Sequence, residues 1–244
     1  MNDEAGKKSS AGLLQMNPRR EFLRRGALAG TLAGIAGMGL ISSCKRETEE
    51  DEVSPAEDLM REHGLLNRIL MIYDHCGMKL VNKEEFQVEM LRNSADIIRS
   101  FVEDYHEKLE EKYLFPRFVN ANKLVDLVQT LYVQHHAGRI LTDQILNLAN
   151  ENLLKNPDDM IKLSDLLVTF NKMYRPHEAR EDTVLFPNFR KIVSRNEYDS
   201  MGEDFEDQEH KLFGSDGFEG VVEKVANIEK QLGIYDLSAF TPAV

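Results

Sequence analysis

The chain has no tryptophan, two cysteines and seven prolines among its 244 residues. Runs of β-branched residues are scarce while Leu, Glu, Met and Lys are common, a balance that favours helices. There is no basic surplus: 30 Lys and Arg stand against 42 Asp and Glu, for a net charge of −12. Without a positive stripe to neutralise phosphates, nucleic acid is excluded as a natural partner. No apolar run makes a confident membrane span, and the best of them, residues 26–41, is short and rich in glycine. The cysteines are Cys44 and Cys76. If the first lies in a leader, no disulfide can form within the folded part, and Cys76 reads as a small buried apolar residue.

Residues 1–44 read as an address. In NPRREFLRR, residues 17–25, Arg19 and Arg20 followed by Glu21, Phe22, Leu23 and Arg24 resemble the twin-arginine export signal. Ile41-Ser42-Ser43-Cys44 looks like a lipoprotein cleavage box, with Cys44 as the lipidated first residue of the mature chain. The expectation is export to the periplasm or cell envelope, with membrane contact only through that lipid. Residues 45–54 are charged and nearly free of apolar side chains, which reads as an acidic flexible tether. Beyond residue 44 there are 24 basic and 39 acidic residues, a balance of −15.

One thirteen-residue stretch occurs twice, as HEKLEEKYLFPRF at residues 106–118 and HEAREDTVLFPNF at 177–189. The copies share His, Glu, Glu, Leu, Phe, Pro and Phe. Residues four apart on a helix lie about 40° apart in azimuth, so His106 shares a face with Glu110, and His177 with Glu181. Each helix is expected to stop at its LFP, because proline lacks a donor and restricts its predecessor. Around these stretches the pattern predicts four amphipathic helices over residues 55–193. The first is capped at Ser54-Pro55-Ala56-Glu57 and runs to about Leu80. The second is capped by Asn82 and Glu85, the third begins near Ala121, and the fourth is capped by Asn156-Pro157-Asp158-Asp159. Short connections imply an antiparallel four-helix bundle. Residues 194–244 add two helices, about Glu197 to Phe213 and Asp216 to Leu232, broken at Gly214, Gly217 and Gly233. They and the closing GIYDLSAFTPAV are expected to pack on the bundle.

The histidines carry the chemistry. His63 on the first helix and His135 on the third are 72 residues apart, and the two HxxxE pairs are 71 apart. Each hairpin thus supplies one His and one His-xxx-Glu, and an approximate twofold brings four imidazoles and two carboxylates to the bundle centre. In so apolar a setting these groups need partners, and ligating cations satisfies them together. Paired His–Glu hydrogen bonds are the plainer alternative. Mixed imidazole and carboxylate ligation suits iron, with zinc, manganese and copper as other divalent choices.

The sequence resembles the hemerythrin-like, HHE cation-binding family. The motifs are REHGLLNRIL at residues 61–70, HEKLEEKYLFP at 106–116, QHHAGR at 134–139 and HEAREDTVLFP at 177–187. The resemblance implies an all-α four-helix bundle holding a non-haem centre of two iron ions. It maps the ligands onto His63, His106, Glu110, His135, His177 and Glu181. Oxygen-carrying members have a further histidine one turn after the third-helix ligand, and Arg139 stands there, which cannot ligate. The implied centre keeps an open position, better suited to sensing, scavenging or redox turnover than to carrying oxygen.

Around the ligands, Glu107 is a candidate further ligand or base. Tyr132 and Tyr174 each precede a ligand histidine by three residues, as core packing or as hydrogen-bond donors at the site. His210 is a candidate to approach the site from the C-terminal extension, while His75 and His136 read as surface or flanking groups. Two functions follow: an exported metal protein that binds oxygen, nitric oxide, peroxide or iron, or a redox enzyme acting on peroxide, nitric oxide or ferrous iron. No second domain is legible, and no protein partner is identified.

Overall fold

The computed structural model describes residues 53–150 and 152–242. The twin-arginine stretch, Cys44 and most of the acidic tether lie outside the described residues. Among the described residues every regular element is helical, giving an all-α bundle with additional C-terminal helices.

Helix α1 spans Pro55–Asn82 and opens as its sequence demands. The Ser54 hydroxyl accepts from the Glu57 N–H, the Glu57 carboxylate accepts from the Ser54 N–H, and Pro55 takes a first-turn position whose N–H has no use. The expected capping of the second helix by Asn82 and Glu85 does not form. The apolar face of α1 continues through Leu80, which carries the helix to Asn82, and Lys83 then turns the chain at φ 57. Helix α2 therefore starts at Val88, with no side-chain cap from Gln87.

Helix α2 covers residues 88–120 and changes pitch on the way. Val88–Ile97 is α-helical, Ile98–His106 is π-helical, Glu107–Leu109 is α, Glu110–Leu114 is π and Phe115–Asn120 is α again. Helix α3 is Val125–Leu148. It starts later than Ala121 because Asn122 and Leu124 hold left-handed conformations, φ 50 and 49. Asn156 caps α4 by accepting from the Asp158 N–H. That helix covers residues 157–189, with a π stretch at Glu181–Leu185 between α segments Pro157–Arg180 and Phe186–Phe189.

Neither LFP ends its helix. The Phe115 N–H reaches back five residues to the Glu110 carbonyl, and that of Phe186 to Glu181. This wider turn shifts the hydrogen-bond ladder by one residue just before the proline. Pro116 and Pro187 then open a fresh α turn, where a missing N–H costs nothing.

Side-chain pairs establish the antiparallel order. Along α1 and α4, His63 meets Asp182, Asn67 meets Glu178 and Gly77 meets Ser164. Along α2 and α3, Arg99 meets Asp143 and Arg139 meets Glu107 and Glu111. The core between them is leucine, isoleucine and aromatic side chains, including buried Tyr73, Phe101, Phe118, Phe170 and Phe189. Helices α5 (Arg195–Phe213) and α6 (Gly217–Leu232) cover one side of α1 and α2. Arg68 makes a two-pronged ion pair with Glu229 at 3.0 and 2.6 Å, Phe213 packs on Phe101 and Tyr105, and the Ala56 N–H donates to the Tyr198 hydroxyl at 3.3 Å. The closing segment is less packed than its composition suggests. Ile234 touches the core, but Tyr235, Leu237 and Phe240 are exposed because a short 3₁₀ turn, Leu237–Phe240, carries them away. Among the described residues no helix is long and apolar enough to cross a membrane.

Two predictions follow from this packing. Gly217 sits at φ 44, and a Cβ there would lie 2.0 Å from Glu209 Oε1, whereas Gly214, at φ 76, has open space. Gly217→Ala should cost about 1–3 kcal/mol more than a merely strained turn allows, lowering the melting temperature by several degrees relative to Gly214→Ala in thermal unfolding. An equal effect of the two would contradict the close approach. Burial pushes the Cys76 thiol up to about 12. In a Cys44→Ser background, native protein at pH 8 should resist a thiol reagent that labels it fully in denaturant. Because the folded value lies above the unfolded one, this thiol's share of stability is intact below the unfolded pKa and falls as pH rises towards 12.

Candidate metal centre

The fold brings all six predicted ligands to one place. His63, His106, Glu110, His135, His177 and Glu181 are buried at the same level of the bundle. Their inward atoms form two overlapping groups able to hold metal, one of His63, His106 and Glu110, the other of Glu110, His135, His177 and Glu181. Among the described residues, two of the three π stretches start at Glu110 and Glu181 themselves, so the carboxylates stand where the helix is widest.

Each imidazole is held from outside by its Nδ1 atom. His63 meets Asp182 at 2.7 Å, His106 meets Glu62 at 2.7 Å, His135 meets Glu111 at 3.1 Å and His177 meets the Gln134 amide oxygen at 2.9 Å. Four outer acceptors assign the proton to Nδ1 on each ring and turn Nε2 inward. There Glu181 Oε2 lies 3.1 Å from His177 Nε2 and 3.3 Å from His63 Nε2. Glu110 Oε2 lies 3.4 Å from His135 Nε2 and 3.8 Å from His106 Nε2. Each carboxylate thus spans one histidine from each hairpin.

What these atoms lack is hydrogen. Both oxygens of Glu110, both of Glu181 and Nε2 of His135 are buried without a hydrogen-bond partner. Lone pairs facing lone pairs in a dry interior are costly, and a cation reconciles them. The titration behaviour shows the same conflict. Burial, reinforced by repulsion from Glu181, drives the Glu110 carboxyl well above its ordinary range. Burial raises Glu181 too, but His177 and His63 beside it hold it well below. Burial lowers His63, yet the carboxylates of Asp182 and Glu181 beside it keep it well above the usual value, whereas burial and the neighbouring His63 hold His106 well below. Neighbouring groups are thus pushed in opposite directions, and a cation held between them would meet the lone pairs of all of them.

Arg139 fills the space of the missing histidine differently from an empty position. Its Nη2 donates to Glu107 Oε2 and Glu111 Oε1, both at 2.6 Å. Burial alone would raise the Glu111 carboxyl, but His135, Lys108 and Arg139 hold it at about 2. Glu107 is buried beside the centre, with its second oxygen accepting from the Tyr174 hydroxyl at 2.8 Å. Tyr174 is thus a hydrogen-bond donor at the edge of the site.

Tyr132 is neither core nor site. It is 56% exposed, because on α3 the buried line runs through Leu131 and His135 and leaves position 132 to solvent. His210 is half-buried, and its neighbour Glu209 is the side chain that turns inward, to lie with Asp58 and Glu62. His75 is half-buried and His136 exposed, as expected of flanking groups.

Sequence reasoning missed the outer shell: Glu62, Glu111, Gln134 and Asp182, together with Glu178, whose carboxyl burial raises to about 8 and which accepts from Asn67. A signal existed. Glu62, Glu111, Gln134 and Asp182 each sit next in sequence to a ligand, about 100° round the helix, and so face the histidine of a neighbouring helix.

The hemerythrin HHE cation binding domain model matches residues 54–189, more than half of the chain. The chain belongs to that family. Membership implies binding of metal ions, typically iron, and the His/Glu clusters fit it. An uncharacterized protein of Mycobacterium bovis and the uncharacterized protein Rv1995 of Mycobacterium tuberculosis are each 47% identical over 235 residues, covering 92% of this chain and 91% of theirs. No solved structure matches this hemerythrin-family chain.

The position of Tyr174 can be tested. A Cβ on Gly138 would lie 2.0 Å from its hydroxyl oxygen. Gly138→Ala should therefore displace the fully buried ring, break its bond to Glu107 and destabilise the fold by about 1–3 kcal/mol. Tyr174→Phe, which loses only the hydroxyl, should cost about 1 kcal/mol in denaturant unfolding. Similar losses for both would show that the ring does not fill that space.

Proposed function

We propose that this protein is an exported non-haem di-iron protein that binds or senses oxygen, nitric oxide or iron at a His/Glu-ligated centre with an open position. The single observation that carries this reading is the set of orphaned atoms at the bundle centre: four carboxylate oxygens and one imidazole nitrogen, buried and unpaired, within a cage of outward-anchored histidines. His63, His106 and Glu110 would hold one ion, His135, His177 and Glu181 the other, with both carboxylates shared. Iron held this way supplies Lewis acidity and accessible redox states.

The chain's own residues do the rest. Asp182, Glu62, Glu111 and Gln134 fix ring orientation, so that no rotamer search is needed on loading. Glu110 and Glu181 contribute two negative charges, fewer than two divalent cations bring, so the loaded centre favours a small electron-rich ligand. Tyr174 and Arg139 hold the buried Glu107 carboxylate at the edge of the site by both its oxygens. Arg139 cannot ligate, which favours sensing, scavenging or turnover over reversible oxygen carriage. In this reading residues 1–44 deliver the protein to the cell envelope, anchored through Cys44. The alternative, a redox enzyme acting on peroxide, nitric oxide or ferrous iron, uses the same centre and differs in consuming its ligand over many turnovers.

Metal analysis of the purified protein should find about two irons per chain, with an optical spectrum that changes on exposure to oxygen or nitric oxide. Glu110→Ala or Glu181→Ala should remove at least one of the two, because each carboxylate spans both histidine pairs. Folded protein that refuses ferrous iron, or alanine variants with unchanged metal content, would overturn the reading.

A further inference from the structure

The approximate twofold carries His63 onto His135, His106 onto His177 and Glu110 onto Glu181. It also carries the outer residues onto one another: Asp182 onto Glu111, Glu62 onto Gln134, Asn67 onto Arg139 and Glu178 onto Glu107. Geometry is kept in these pairs, but charge is not.

In the His63–His106 half both Nδ1 atoms are held by carboxylates, Asp182 and Glu62, each at 2.7 Å. Two more buried acids, Asp58 and Glu209, stand with Glu62, their ligand atoms within 4.8 Å of one another. The residue one turn after His63 is the neutral Asn67. In the His135–His177 half only one Nδ1 is held by a carboxylate, that of His135 by Glu111, at the longer distance of 3.1 Å. That carboxylate is shared with Arg139 at 2.6 Å and Lys108 at 2.7 Å. His177 has only the neutral amide oxygen of Gln134, at 2.9 Å. The guanidinium of Arg139, which also pairs with the buried Glu107 at 2.6 Å, brings a fixed positive charge to the same side, where the other half has the neutral Asn67 beside Glu178. A carboxylate behind an imidazole makes its inner nitrogen a stronger donor, an amide does so less, and a nearby cation repels another. The shared carboxylates do not remove the difference, since each reaches into both halves.

Resting on the metal-centre reading, we propose that the two halves are unequal hosts. The His63–His106 half takes its cation first and holds it tightly. The His135–His177 half takes the second weakly, as an exchangeable position.

The test is a titration of cation-depleted full-length protein with cobalt(II), followed by isothermal calorimetry and by the visible absorption of the bound ion. Wild type should load in two steps separated by at least about tenfold. Glu62→Gln should weaken the first step by about 10–100-fold, the usual effect of losing an outer partner, and draw the steps together. Gln134→Glu should instead strengthen the second step, and it keeps the test open if Glu62→Gln folds poorly. Two steps of equal affinity in wild type, or Gln134→Glu leaving the second step unmoved, would overturn the inequality while leaving the metal centre standing. Folded wild type, checked by circular dichroism, that takes no cobalt at all would overturn both.

Discussion

Two carboxylates with no exposed surface, Glu110 and Glu181, face each other's histidines at the middle of an apolar bundle. A charge placed there costs several kcal/mol unless something of opposite sign meets it. Much of the surrounding order can be traced to that cost. The rings beside the carboxylates are pinned from behind so that their lone pairs turn inward, and the acceptors that pin them lie on neighbouring helices. The polar interior thereby ties α1 to α2 and α4, and α3 to α2 and α4. The apolar core holds the helices together, while the buried polar layer fixes how each is rotated.

Much of this was legible in the sequence because a helix repeats simply. His106 and Glu110, like His177 and Glu181, announce a shared face by spacing alone, and the near-equal intervals to His63 and His135 announce the twofold. Ser54 and Asn156 cap their helices as their side chains dictate, and the glycines at 214, 217 and 233 all take positive φ. The illegible parts have a common cause, which is departure from 3.6 residues per turn or dependence on a partner helix. The π turns at Glu110 and Glu181 let each helix run through a proline that should have ended it. Tyr132 and Tyr174 occupy the same place relative to a ligand, yet one faces water and the other the core, since exposure is decided by which helices stand alongside. His210 drew the eye as a titratable group, but Glu209 is the residue aimed at α1 and α2.

The C-terminal helices belong to the same argument. Glu209 receives the Phe218 N–H at 3.0 Å and lies beside Asp58 and Glu62, so the extension reaches the residue that pins His106. Arg68 and Glu229 fasten it to α1 from the far end. The extension thus brings a buried acid, Glu209, to the His63–His106 half of the centre from outside the residues that the family domain covers.

The phenylalanines that follow the π turns give the centre a direction. Phe115 stacks on the His135 ring at 5.3 Å and Phe186 on the His63 ring at 5.5 Å, both within 24° of parallel. They close the end nearer the LFP segments with hydrocarbon. The opposite end is walled by Arg139, Glu107 and Tyr174 on one side and by Asn67 and Glu178 on the other. The ligand cluster is therefore polarised along the bundle axis, with aromatic rings against the histidines on one side and guanidinium, amide and acid groups on the other.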